Sequence, residues 1–492
     1  MNRMRYFAVI TAICLGTFMA TLDISIVNVA LPAIQHELNT SMVSLQWLID
    51  AYALCLSALI LSAGPLSDRW GRKKMWLTGV VIFTLGSLLC ALAGSLTLLL
   101  AGRIVQGIAA ALLIPGALSL ITHTFADSQQ RIRVIGVWSS VSALSLIVGP
   151  ILGGVLVHTT GREGIFLINI PIGIITFLLG LYGISESSDP EKAAFDPAGQ
   201  LLSIAALGAV TYGLIEAGSA GWLHPVTLSA VIGGIILFLV FLVTESRVAR
   251  PLLPLADFKQ RDYRHYNLAS FVIGFSAYTN VFFIALFLQK AQGWNALEAG
   301  LRMSPEFIAM ALFSFSFGQI SRTFSIKQIL GTGLVLMAGA CALMTTLTPH
   351  TLYVATGLML FMLGTGMGLS IPAVGALIMH TADPARSGVA SATLNMMRQT
   401  GMTLGIALLG TLMTQRAVTL ARGSNLADAE QLITGTQGQG LTATVQNSIY
   451  EAFAGGFSLA MAGAALSAAW VFILIFYPRH HKIRQENGKI TS

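Results

Sequence analysis

Several ionisable residues stand inside long apolar stretches of this chain: Asp23, Asp50, Arg103, Glu216, Glu306 and Arg398. A charge in hydrocarbon is expensive, so each needs a partner, a wet cavity or a transported ion to explain it. A carboxyl group can take up and release a proton and can attract a cation, whereas an arginine keeps its charge and holds carboxylates in place. Counting 1.5 Å per residue puts Asp23 about 16 Å from the outer end of the first helix and Arg103 about 9 Å from the outer end of the fourth. Those depths let the two pair directly or through water. Asp23 therefore reads in two ways, as a group that binds a proton or a cationic substrate, or as a carboxylate locked to Arg103. Asp50, about two turns into its helix, is either an outer-vestibule charge or a solvated helix end. Glu216 lies near the outer end of a seventh helix. Glu306 and Arg398 are a structural pair or cavity lining, and Arg302, one turn before Glu306, is the nearer partner by spacing. Trp47 and Tyr52 read as interface and packing aromatics rather than as a cage for a cation.

No set of residues suggests an enzyme. There is no phosphate-binding Gly/Lys loop, so ATP is not the expected energy source, and a proton gradient is the economical alternative. Cys14, Cys55, Cys90 and Cys341 lie in apolar runs without metal-ligand spacing. His480 and His481 sit in a basic tail, where solvation is the expectation. No metal and no cofactor are expected. The formal charge of +7 does not argue for nucleic acid, because the basic residues cluster in short segments between apolar runs.

The 492 residues are 55% hydrophobic and only 10% charged, against about 25% charged in soluble domains. The expected class is an all-α polytopic membrane protein. Apolar runs predict fourteen helices, near 6–34, 45–65, 75–94, 97–121, 134–158, 165–184, 199–219, 225–245, 266–289, 299–319, 329–348, 351–376, 389–414 and 453–477. The first run resembles a signal peptide at its start, but its apolar character resumes after Asp23, which predicts an uncleaved span. Between the second and third runs lies Gly64-Pro65-Leu66-Ser67-Asp68-Arg69-Trp70-Gly71-Arg72-Lys73-Lys74, expected as a short aqueous loop. Its basic charge places it in the cytoplasm. With that orientation, 21 Lys/Arg fall in inside segments and 4 in outside ones, and both termini are cytoplasmic. Gly318 to Gly333 aligns without gaps on Gly64 to Gly79, which suggests that helices 9–14 echo helices 1–6. The expected division is a six-helix bundle over 1–184, a linker with two extra helices over 185–265, and a second six-helix bundle with a cytoplasmic tail over 266–492. The basic 246–265 loop reads as a lipid-headgroup contact. The stretch 415–453 is expected as a long outside loop, partly disordered or carrying a short helix.

These stretches resemble the major facilitator superfamily. Gly64, Leu66, Asp68, Arg69, Gly71, Arg72 and Lys73 match its signature loop between helices 2 and 3, which the resemblance makes a gating motif. Leu22-Asp23-Ile24-Ser25-Ile26-Val27-Asn28-Val29-Ala30-Leu31-Pro32 is similar to the first helix of the fourteen-span drug:proton antiporters, with Ser25 in place of Thr. Arg103-Ile104-Val105-Gln106-Gly107 resembles the family's fourth-helix motif, whose Arg is implicated in proton coupling. Gly149, Pro150, Gly153 and Gly154 resemble the fifth-helix antiporter motif, departing at Ser145; an ordinary Gly-rich packing face is the plainer reading. Gly164 to Gly173 matches the start of helix 6, although Gly161-Arg162-Glu163-Gly164 replaces the family's aromatics. Asn395 to Gln399, around Arg398, also resembles the family.

The resemblance implies two six-helix bundles plus two inserted helices in a bacterial inner membrane. It implies a proton-coupled multidrug efflux antiporter that exports lipophilic or cationic compounds by alternating access. Its partners would be small-molecule drugs, protons and the lipid bilayer, with room for a periplasmic adaptor and none for nucleic acid. An exporter of an endogenous metabolite and an uncoupled facilitator are the alternatives.

Overall fold

The computed structural model describes residues 3–125, 127–188, 196–248, 251–253, 255–381, 387–424, 429–434 and 442–476. Lys192, Arg250, Arg386 and the basic tail with His480 and His481 lie outside the described residues. Those described form helices α1 (Arg3–Glu37), α2 (Met42–Trp70), α3 (Arg72–Ala91), α4 (Leu96–Thr124), α5 (Ser128–Thr160), α6 (Gly164–Leu167), α7 (Asn169–Gly183), α8 (Pro197–Ala220) and α9 (Pro225–Glu245). They continue as α10 (Arg261–Ile273), α11 (Thr279–Leu286), α12 (Ala296–Ile320), α13 (Ile326–Met344), α14 (Tyr353–Thr381), α15 (Ser387–Gly423), α16 (Ala429–Thr434) and α17 (Ala443–Phe476). Helices α10 and α11 form one rod through a π-helical turn, Gly274–Tyr278.

Local chemistry sets many of the boundaries. Ser41, Ser95, Asp127 and Asp196 cap α2, α4, α5 and α8 by accepting from backbone N–H groups of the first turn. Asn295 with Glu298, and Ser325 with Gln328, form capping boxes on α12 and α13. Twelve helical runs among the described residues are long and apolar enough to cross a membrane. The runs expected over 134–158 and 299–319 are not in that set. Helix α12 carries Glu298, Arg302 and Glu306, and the second half of α5, Leu144–Thr160, is a shorter apolar helix. These two helices pack on each other, so neither needs an apolar surface all round. Helix α9 is the opposite case: Ile232, Ile235, Leu239 and Val243 are all exposed, as a lipid-facing surface requires.

Two expected loops are helical. Residues 64–70 continue α2, and only Gly71, at φ +101°, breaks the chain before α3. Of the stretch 415–453, α15 takes residues up to Gly423, α17 begins at Ala443, and α16 lies between them. The physical reason is common to both. Hydropathy marks the part of a helix that meets lipid, while backbone hydrogen bonding carries the helix on into water.

The suspected repeat has a structural counterpart. A Cβ on Gly79 would meet Leu112 and the Ala109 carbonyl of α4, and one on the aligned Gly333 would meet Ser370 and the Gly366 carbonyl of α14. Each glycine thus allows close approach of the third helix of its series to the fourth.

Candidate functional site

The deepest polar cluster is built around Asp23. Its carboxylate accepts from Arg103 Nη1 on one oxygen. The other accepts from Gln106 Nε2 at 3.0 Å and Asn169 Nδ2 at 3.2 Å. Arg103 also donates to the Leu48 carbonyl and to Gln106 Oε1, and its guanidinium lies 4.6 Å from the centre of the Tyr52 ring. Ser87 Oγ accepts from both Gln106 and Asn169. Asp23, Arg103, Gln106, Ser87 and Asn169 are all buried. One ion pair thereby joins α1, α2, α3, α4 and α7. In this conformation the Asp23 carboxylate is paired directly with Arg103. Tyr52 does face a cation, but that cation is Arg103, and the Tyr52 hydroxyl donates to the Ala20 carbonyl.

Asp50 and Glu306 are placed differently. Both are fully buried, and none of their four carboxyl oxygens has a hydrogen-bond partner among the described residues. Burial corrects both readings of Asp50, since it neither faces a vestibule nor ends a solvated helix. Arg302 is not the partner of Glu306. Its guanidinium stacks 3.5 Å from the Trp294 ring centre and 4.7 Å from that of Tyr353, aromatic partners that sequence spacing along α12 does not indicate. Arg398 is not that partner either; it donates to Asn395 Oδ1 at 2.5 Å and lies over Tyr278. Glu216 is half-buried near the end of α8.

A cavity lies where α1, α2 and α5 meet α11, α12, α14 and α15. Its wall includes Ser25, Asn28, Ile49, Tyr278, Phe282, Phe307, Met310, Met367 and Met402. Asn28 Nδ2 donates to the Ile24 carbonyl, which leaves a buried Oδ1 with no donor. Asp23 does not line this space; it faces α4, on the other side of α1. A direct contest between proton and substrate for the Asp23 carboxylate therefore has no geometric basis here.

The glycines of the fifth helix set how closely α5 approaches its neighbours. A Cβ on Gly149 would strike Ser25 Oγ, one on Gly153 would meet Ile26, and one on Gly154 would meet Leu297 of α12. From the other side, a Cβ on Gly300 would sit 2.1 Å from the Pro150 carbonyl oxygen. Ser145, where the motif departs, hydrogen-bonds Thr21 of α1. At the Glu37 end of the bundle, Gln46 donates to the Ile406 carbonyl, Gln289 to that of Val29 and Gln35 to that of Thr434. At the Arg69 end, Gly64 and Gly318 face open space.

In the signature segment, Asp68 pairs with Arg72 at 2.6 Å. The Lys73 and Lys74 amides donate to the Glu186 carboxylate, a partner that sequence reasoning missed. Asp68→Asn should insert normally but slow transport by several-fold, because the helix end loses its charge pair; unaltered transport would remove the gate role.

Residues 13–406 match the family described as Major Facilitator Superfamily. The chain belongs to that superfamily. It is thus a multi-pass transporter rather than an enzyme, and its fold agrees with that of solved transporters. It superposes with a TM-score of 0.68 and 18% identity on a bacterial homolog of the human lysosomal transporter Spinster, inward-facing and unoccupied, over 96% of this chain and 98% of that one. The methylenomycin A resistance protein of Streptomyces coelicolor is 37% identical over 361 residues, 73% of this chain and 76% of that protein. Multidrug resistance protein Stp of Mycobacterium tuberculosis is 34% identical over 344 residues, 70% of this chain and 63% of that protein.

Sequence reasoning singled out Asp23 and Arg103 and missed their partners Gln106 and Asn169, and Ser87 behind those two. All three stood in view, two of them inside quoted motifs. Neutral polar residues carry no signal of their own in a transmembrane helix, since each can bond to its own backbone.

Proposed function

We propose that the protein is a proton-coupled exporter of the fourteen-span drug:proton antiporter branch, working by alternating access. The observation that carries this reading is the lining of the cavity at the meeting of the two helix series, methionine and aromatic side chains with a few polar groups; at about 20 Å³ in this conformation it has to open to admit a compound. Flexible thioethers adapt to many apolar shapes, which suits a broad range of lipophilic compounds. The described cavity wall carries no carboxylate, so lipophilic substrates are favoured over strongly cationic ones. Relatives named as antibiotic and multidrug resistance proteins point the same way.

The fourteen-span count adds α5 and α12 to the apolar twelve. At 33 and 25 residues, each is long enough for a hydrocarbon core of about 30 Å. The division into bundles over 1–184 and 266–492, with an inserted pair over 185–265, follows from that count. So do cytoplasmic termini.

In the proposed cycle, protonation of Asp23 releases Arg103 and Gln106. Because α1 carries both Asp23 and the cavity residues Ser25 and Asn28, that release is felt at the substrate site through the helix. Asp50 and Glu306 are second proton sites in this scheme, since an unpaired buried charge costs several kcal/mol. Pro150 and the glycines around it serve the closure of α5 on α12, and the Gly64–Lys73 motif serves the opposite gate.

A susceptibility panel with and without expression tests the reading. Tolerance of at least one lipophilic antibiotic should rise several-fold and collapse with a protonophore. No rise for any compound, with the protein present in the membrane, would favour a metabolite exporter. Orientation is tested in the same cells: cysteine at Lys74 should label only from the cytoplasm and cysteine at Leu223 only from outside. Labelling of both from one side would break the fourteen-span count.

A further inference from the structure

A second buried acidic group lies far from Asp23, at the Arg69 end of the inserted helices. Asp196 caps α8, and Glu245 ends α9. Both are buried. One oxygen of each is occupied by a backbone donor: Asp196 Oδ1 accepts from the Gly199 amide at 2.9 Å, and Glu245 Oε2 accepts from the Leu253 amide at 3.0 Å. The other two, Asp196 Oδ2 and Glu245 Oε1, are buried and have no donor among the described residues. They lie 2.6 and 2.3 Å from the point that a Cβ on Gly199 would occupy. Only a residue with no side chain lets these two oxygens meet there.

Two carboxylate oxygens cannot share a dry space while both are charged, and a proton held between them removes the repulsion. Among the described residues no cation is placed to do that. Arg247, two residues beyond Glu245, is exposed, as is Arg69 on α2. Asp68 and Arg72 on α2 pair with each other. On α15, Arg398 is held by Asn395 and Arg416 is exposed. Glu216 is at the far end of α8, and Asp257, in the following turn, is half-exposed. The face of α2 that meets α8 offers Ala58 and Ser62, which hydrogen-bond the Gln200 carboxamide.

We propose that Asp196 and Glu245 hold one proton between them, and that this shared proton clasps residues 251–253 onto α8 and the adjoining half of α2. The clasp has a mechanical reach. The Leu253 amide is tied to Glu245, and Leu252 packs in one cluster with Ile60 and Leu61 of α2. Helix α2 continues from there into the Asp68–Arg72 segment. Loss of the proton leaves two buried like charges, drives the carboxyl groups apart and undocks the segment. The site would then sense the pH of the compartment that the Arg69 end faces.

Hydrogen exchange on the full-length protein in lipid nanodiscs, without substrate, tests the clasp. After correction for intrinsic rates, exchange at Leu253 and its neighbours should rise on the order of tenfold between about pH 6 and about pH 9. In Glu245→Gln the carboxamide can donate to Asp196 permanently, so protection should become independent of pH. Wild-type protection that does not change with pH would overturn the proposal. So would protection that follows added sodium or calcium at fixed pH, which would make the site one for a metal cation. Neither result bears on drug export, so this inference stands or falls apart from that reading.

Discussion

In proteoliposomes, Asp23→Asn should bind an uncharged substrate yet fail to drive uphill export from an imposed proton gradient, with the driven rate falling by at least about tenfold. Asparagine preserves size and one acceptor but cannot titrate. It also leaves Arg103 charged and buried with only carbonyl acceptors, the Leu48 backbone and Gln106 Oε1. Removing one member of a buried pair costs roughly 3–5 kcal/mol, so loss of folding could imitate loss of coupling. The double variant Asp23→Asn/Arg103→Gln separates the two, since it removes both charges and keeps hydrogen-bonding groups. It should recover thermal stability close to the parent and remain uncoupled. Arg103→Ala should be unstable and uncoupled, because the Asp23 carboxylate keeps its neutral donors Gln106 and Asn169 but loses its counter-charge. Gradient-driven accumulation at the parental rate in Asp23→Asn would move coupling elsewhere, with Asp50 and Glu306 next in order.

Gly300→Leu should abolish transport while leaving the protein in the membrane. A Cβ there would lie 2.1 Å from the Pro150 carbonyl oxygen, and backbone cannot yield as a side-chain tip can. Helices α5 and α12 must therefore part at the Glu37 end. Overpacking of this kind costs about 1–3 kcal/mol, enough to shift an equilibrium between two access states by about 5- to 150-fold. Gly318→Leu is the control, since no atom lies within 4 Å of a Cβ at that position; its transport and melting temperature should stay near the parent. The outcome that would sink this view is full transport by Gly300→Leu, which would make the α5–α12 contact incidental to the cycle.

Both experiments depend on placements that differ in how readable they were. That Asp23 and Arg103 would be buried charges in need of a partner was legible, because a charge within a run of apolar residues stands out without any structure. That they meet was inferred from depth alone. The roles of Asp50, Glu306 and Arg302 were not legible. Each sits on a helix whose rotation decides whether a side chain meets lipid, water or protein, and rotation is set by the neighbours. Arg302 and Glu306 are one turn apart, yet one stacks on Trp294 and Tyr353 while the other is sealed inside. The pair Asp196 and Glu245, 49 residues apart in sequence, gave no sign of meeting.

What the sequence by itself determined is the run of helices, their polarity along the chain and the membrane setting. These follow from sums over neighbouring residues: a helix satisfies its own backbone, and its apolar side chains carry a hydrophobic free energy that adds locally. Its errors came where local sums stop applying, at 64–70 and 415–453, where helices leave the lipid and continue. Only the tertiary structure decided which polar groups share a site. Gln106 reaches Asp23, and Ser87 reaches Gln106, because small residues, such as Gly86 against Gln106 and Gly102 against Cys90, let α3 and α4 approach closely. A hydrogen bond needs its partners within about 3 Å, and that precision belongs to how helices pack, which no single segment encodes.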